Sequence, residues 1–160
     1  VDISRPGVSK RHIKDYIDNC VCLNVRKASR AVTRLYDEAL QKTGIRSTQL
    51  IILMVLEHLE KVTVSKLAEE LVMDASTVAR NLRPLHKQGL IQIIPGTDRR
   101  QRIVSLTAKG QERVEECLEH WNRAQNKIFS AFSEKEFENN LTAINNISDA
   151  VLKIHDPHLS

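Results

Sequence analysis

Between Gly7 and Gly44, apolar positions recur mostly three or four residues apart: Ile13, Ile17, Cys20, Leu23, Ala31, Leu35 and Ala39. That spacing gathers one face of a helix, and it predicts a single long helix over 9–43. A second helix follows with Leu50, Leu53, Met54 and Leu56, for which Ser47 is the candidate N-cap. Thr63 or Ser65 opens a short third helix with Leu67, Ala68 and Leu71 inward. Asp74 opens a fourth, with Val78, Leu82 and Leu85 inward and Gly89 as its stop.

After Gly89 the period shortens. Leu90–Ile94 and Arg102–Leu106 are β-branched runs, and residues 95–101 between them form a hairpin loop too long for a two-residue turn, so it should project. Thr107 then opens a long helix whose stripe is Val114, Cys117, Leu118, Trp121, Gln125, Ile128 and Phe132. Ser133 and Glu136 have capping-box spacing ahead of a last helix with Phe137, Leu141, Ile144, Ile147, Val151 and Ile154. The fold class expected is mainly α with a small β-hairpin. A helix over 9–43, a central lobe over 45–107 and a helical pair over 108–156 divide the chain. Three short helices followed by a hairpin is the winged helix-turn-helix order. The flanking helices carry more apolar surface than a centre of about 60 residues can cover. Packing them against a second copy is the economical solution, so a homodimer is expected.

A length of 160 residues suits one domain with a helical extension. All six aromatics (Tyr16, Tyr36, Trp121, Phe129, Phe132, Phe137) lie outside 37–120, so the central lobe lacks the stacking side chains of a single-strand binder. No apolar run approaches the roughly 18 residues needed to span a membrane. Three cysteines, an odd and sparse set, fit a reducing cytoplasmic compartment.

Net charge is +4, but its distribution says more. Residues 76–102 hold six cations (Arg80, Arg83, Lys87, Arg99, Arg100, Arg102) against Asp98 alone, whereas 111–160 hold five cations and nine acids. A basic run by itself is often a solvated face. On a winged-helix pattern it fits a duplex-DNA surface. The recognition helix, 74–88, would enter the major groove with Ser76, Thr77, Arg80 and Asn81 outward. Arg80 suits guanine and Asn81 adenine, while Ser76 and Thr77 suit base edges or phosphates. Thr77 capping the helix is an equally open reading. Ser47, Thr48 and Lys66 lie near helix N-termini, where backbone N–H groups favour phosphate. In the wing, 95–102, Arg100 is the first choice for the minor groove, with Arg99 and Arg102 as alternatives. Pro84 interrupts the recognition helix beyond its base-reading turns, so a bend is expected before Gly89.

Residues 63–71, 74–91 and 98–110 together resemble the multiple antibiotic resistance regulator (MarR) family, and the flanking helices are similar to that family's dimerisation region. The resemblance implies a homodimeric transcription factor, usually a repressor on a palindromic operator, released by a small phenolic ligand, an oxidant or a metal. It implies that Asp98 orients a neighbouring arginine. It also implies an effector site where the first, second and long fifth helices meet the DNA-binding lobe, with Cys20, Leu23, Asn24, Ile51, Met54 and Val55 as candidate lining. Arg26, Lys27, Arg30 and Arg34 are available to hold a ligand carboxylate, or are simply solvated.

Several chemistries are disfavoured. Cys20 and Cys22, if both are helical, diverge by about 200° and cannot bridge, so all three thiols, Cys117 included, are expected to be buried and apolar. The six histidines show short ligand spacing only at His155-x-x-His158, so no metal and no other cofactor is expected. No phosphate loop, nucleophile–base arrangement or carboxylate cluster suggests an enzyme. The competing class is a winged-helix protein-interaction module without DNA binding, which would not need Arg80, Asn81 and three hairpin arginines together.

Overall fold

The computed structural model describes residues 10–96, 98 and 101–155. In chain order the elements are α1 (Lys10–Asp18), α2 (Val21–Leu40), a 3-10 turn (Gln41–Thr43), α3 (Ser47–Leu59), β1 (Lys61–Thr63), α4 (Val64–Glu70), α5 (Ala75–Lys87), β2 (Ile91–Pro95), β3 (Arg102–Leu106), α6 (Ala108–Phe129) and α7 (Glu134–His155). The architecture is mainly helical, a winged helix-turn-helix with long helices at both ends.

The first helix is not continuous. At Cys20 the backbone is extended (φ −77°, ψ 106°), and the Cys20 Sγ accepts the Leu23 N–H as the N-cap of α2. Asparagine amides hold the break: Asn19 Nδ2 donates to the Asp15 carbonyl at 2.8 Å, and Asn24 Nδ2 donates to those of Asp18 and Cys20, each at 3.1 Å. Short amide side chains compete with the helical ladder in this way, and apolar periodicity alone is blind to it.

The hairpin is part of a three-stranded antiparallel sheet of order β1-β3-β2. Ile91 pairs with Leu106 and Pro95 with Arg102, while Val62 of β1 pairs with Val104. β1 has three residues and one inward side chain, too few for a period-2 pattern to register.

Local capping follows the sequence at three places. The Thr63, Thr107 and Ser133 hydroxyls accept the N–H groups of Lys66, Gly110 and Glu136. Ser133 and Glu136 close the reciprocal box, since the Glu136 carboxylate also accepts the Ser133 N–H, and these bonds hold that carboxyl below the usual range. Ser47 does not cap α3. The N-cap is Arg46, and the Ser47 N–H is taken by Asp37 Oδ1 at 2.7 Å.

The core lies in the central lobe. Leu50, Leu53, Leu56, Leu67, Val78, Leu85, Leu90 and Val104 have no exposed surface, and Leu40 of α2 and Cys117 of α6 join them. The terminal helices are different. Ile13, Ile17, Val21 and Val25 at one end, and Leu141, Ile144, Ile147, Val151 and Ile154 at the other, are all exposed.

Candidate nucleic-acid interface

Because Val78, Leu82 and Leu85 turn inward, the first turns of α5 present Ser76 and Arg80 to solvent, with Thr77 and Asn81 half-buried beside them. The Thr77 hydroxyl is not the cap. It accepts from Arg80 Nη2 at 3.0 Å, while Asn81 Nδ2 donates to the Thr77 carbonyl at 2.9 Å. Asp74 is the N-cap through its extended backbone, without a side-chain bond. The Arg80 guanidinium is therefore held in one direction before any partner arrives, which reduces the rotamer entropy lost on contact. Arg83 and Lys87 are exposed and lengthen the cationic stripe by two turns. Their spacing from Arg80, three and seven residues, is the signal that marks them.

α5 runs unbroken through Pro84 to Lys87, and Gln88 N–H closes on the Pro84 carbonyl at 3.1 Å. Its end is a Schellman motif: Gly89 N–H reaches the His86 carbonyl and Leu90 N–H that of Leu85, with Gly89 at φ +72°. The start of α6 is fastened to this end. Thr107 Oγ1 donates to the Gly89 carbonyl at 2.7 Å, and Lys109 Nζ to that of Gln88 at 2.9 Å. A Cβ on Gly110 would lie 2.0 Å from the Leu90 carbonyl oxygen, so only glycine permits this approach.

Three of the expected phosphate contacts are placed differently from a simple helix-terminus picture. Ser47 is 7% exposed, and its N–H is occupied by Asp37, so that N–H is not open to a phosphate. Thr48 is exposed but lines a cleft described below. Lys66 is exposed, with Nζ at 3.3 Å from Glu70 and 3.4 Å from Glu69, and the two carboxylates hold its ammonium above the usual lysine range. Its N–H belongs to the Thr63 cap.

In the wing, Gly96 N–H donates to the Gln101 carbonyl and Gln101 N–H to that of Asp98. Asp98 and Arg102 are exposed. Arg99 and Arg100 lie outside the described residues.

A cleft of about 390 Å³ opens between α2, α3 and α6. Ile51, Met54 and Val55 form one wall and Val32 and Tyr36 the other; Trp121 closes the end, and the hydroxyl residues Thr33, Ser47 and Thr48 edge it. Tyr36 and Trp121 are in ring contact at 5.9 Å, and the Tyr36 hydroxyl donates to Gln125 Oε1. Burial pushes the Tyr36 phenol up, which keeps it a donor. Of the expected lining, Cys20, Leu23 and Asn24 are absent from the cleft; Cys20 and Asn24 instead bind the α1–α2 break. Thr33, Tyr36 and Trp121 come from helices far apart in sequence, and no local spacing reveals them. A second groove of about 620 Å³, between α2, α6 and α7, shares Val32 and Tyr36 with the cleft.

The thiols do not form one class. Cys117 is fully buried, and burial pushes its pKa up; Cys20 is half-buried, and Cys22 is exposed. Cys20 stands outside the helix, so the angular divergence expected of two helical residues does not apply to it and Cys22. Among the described residues no group of three His, Cys, Asp or Glu side chains could hold a metal, and no helix is long and apolar enough to cross a membrane. His158 lies outside the described residues.

An exposed, pre-oriented arginine on the second helix of a helix-turn-helix, beside a winged sheet, defines a duplex-DNA-binding transcriptional regulator. Known proteins agree. Residues 43–101 match the MarR family. The organic hydroperoxide resistance transcriptional regulator of Bacillus subtilis is 31% identical over 109 residues, spanning 68% of this chain and 73% of that protein. The HTH-type regulator YwoH of the same organism is 23% identical over 123 residues, 77% of this chain and 90% of its own. Among solved structures, the Mycobacterium tuberculosis regulator MosR in complex with DNA superposes with a TM-score of 0.72 at 26% identity, covering 83% of this chain and 98% of that one. A MarR mutant from E. coli complexed with operator DNA reaches 0.75 over 82% and 96%, a likeness of fold at 19% identity. The chain belongs to the MarR family and is a DNA-binding transcriptional regulator, not an enzyme. The protein-interaction reading without DNA binding falls away with that membership.

Proposed function

We propose that the chain is a homodimeric repressor that binds a palindromic operator, with residues 74–88 in the major groove and 95–102 in the minor groove. The observation that carries this reading is Arg80, exposed on the outer face of α5 and steered by Thr77. Ser76, Thr77 and Asn81 flank it, and Arg99, Arg100 and Arg102 supply the wing's charge. Asp98 orients one of those arginines through a charge-assisted bond. Dimerisation is supported by the exposed apolar faces of α1, α2 and α7. A two-fold pair of recognition helices reads a two-fold sequence.

The effector reading is that a small aromatic molecule enters the cleft at Ile51, Met54, Val55 and Trp121 and releases DNA. α6 forms the end of that cleft through Trp121 and is fastened to the end of α5 through Thr107 and Lys109. An occupant that displaces α6 therefore pulls on the recognition helix.

A second reading rests on Cys20. Its sulfur sits half-buried at the start of α2 and accepts the Leu23 N–H at 3.4 Å. A hydroperoxide would convert Cys20–SH to Cys20–SOH with release of the alcohol, weakening the cap that holds α2. The hydroperoxide-resistance function named for the Bacillus subtilis relative supports testing it.

The test is fluorescence anisotropy on duplexes tiling the protein's own promoter. A regulator that makes six to ten phosphate contacts loses roughly 10³–10⁵ in affinity between 50 and 200 mM salt. Arg80→Ala should lose about 1–3 kcal/mol of preference for the operator over random duplex. Flat salt dependence, or an unchanged preference, overturns the assignment.

A further inference from the structure

We propose that the cleft between α2, α3 and α6 selects uncharged aromatic molecules and rejects aromatic carboxylates; this rests on the reading of that cleft as the effector site. The residues around it include hydroxyls, an indole and apolar side chains, but no lysine, arginine or histidine. A carboxylate taken from water into such walls loses its hydration and gains no counter-charge.

Three features that could compensate are already committed. The N-terminus of α3 points its positive end at the Ser47–Thr48 edge, but Asp37 Oδ1 takes the Ser47 N–H at 2.7 Å. An incoming anion meets that carboxylate rather than a free helix end. Arg30 and Arg34 line the adjacent groove across Thr33, where Asp37 and Glu38 match them in charge and Glu38 holds Arg34 Nε at 2.8 Å. The Tyr36 hydroxyl is likewise spent on Gln125. What remains is Thr33, Ser47 and Thr48, whose hydroxyls both donate and accept and so suit an amide, alcohol or phenol. Trp121, half-buried at the cleft's end, is the indole that an aromatic ring would meet there.

Trp121 is the only tryptophan in the chain, so its emission reports on the cleft directly. The experiment titrates the full chain with benzamide and with benzoate at pH 7.5 and constant ionic strength, exciting at 295 nm. The two probes are nearly isosteric and differ in charge. Benzamide is expected to give a saturable change with a Kd at least tenfold below that of benzoate. Benzoate binding as tightly as benzamide overturns the charge selection while leaving the cleft a ligand site. Absence of any saturable change with either probe overturns both. Thr48→Lys, at an exposed rim position, places a cation at the mouth. It is expected to strengthen benzoate at least tenfold without strengthening benzamide, and an unchanged ratio would also overturn the proposal.

Discussion

Val72, in the turn between α4 and α5, has φ +50° and is 65% exposed. It is the left-handed residue of a Schellman motif in which Val72 N–H reaches the Glu69 carbonyl and Met73 N–H that of Ala68. A β-branched side chain at that φ costs roughly 1–2 kcal/mol, and the exposed isopropyl group recovers little of it through burial. Val72→Gly should therefore raise stability by about 1 kcal/mol, seen as a higher urea midpoint at unchanged slope; a lower midpoint would show that the turn is not strained. The other residue with a divided identity is Cys20, at once a cap and a thiol. Serine is the better cap, so Cys20→Ser should keep the helical circular dichroism and abolish DNA release by cumene hydroperoxide. Release that survives the substitution removes Cys20 from the oxidant reading. At this scale legibility follows distance along the chain. Thr63, Thr107 and Ser133 cap groups three residues away and are readable, whereas Ser47 is mistaken for a cap because its true partner, Asp37, lies ten residues upstream.

Among elements, the start of α6 is fastened closely onto the end of α5. Gly110 lies against the Leu90 carbonyl, and backbone cannot move aside as a flexible side chain can. Gly110→Ala should destabilise the fold by about 1–3 kcal/mol. It should also weaken operator binding beyond what the lost folded fraction explains, because α5 loses its seat. Calorimetry and anisotropy on the same sample separate the two effects, and equal losses would reduce Gly110 to a packing residue. The helices of the lobe and both strands of the hairpin are legible from period and punctuation, since each buries one regular face. The α1–α2 break and β1 are not. The first is made by two asparagine amides, and the second exists only because β3 offers a free edge to Lys61–Thr63. The cleft was half legible: Ile51, Met54 and Val55 share one helix, but its closure depends on a tertiary meeting with Tyr36 and Trp121.

For the whole molecule, the balance of charge and apolar surface divides the labour. Cations nearly free of acids mark α5 and the wing, with Asp98 the single acid over 76–102, while α1, α2 and α7 carry many of the exposed apolar side chains. Ile144 is 58% exposed within the chain, so Ile144→Glu should leave the protomer folded and shift sedimentation from dimer toward monomer. A dimer that persists at micromolar concentration would place the interface elsewhere. The shared wall of Val32 and Tyr36, one side facing the cleft and the other the groove against α7, carries this division one step further. Whatever factor a bound molecule imposes on subunit association through that wall, association must impose on the molecule's own affinity. For a homodimer with an effector in that cleft, as proposed, sensitivity would be set partly by how many copies the cell makes, and a regulator that controls its own promoter would retune its threshold each time it acted.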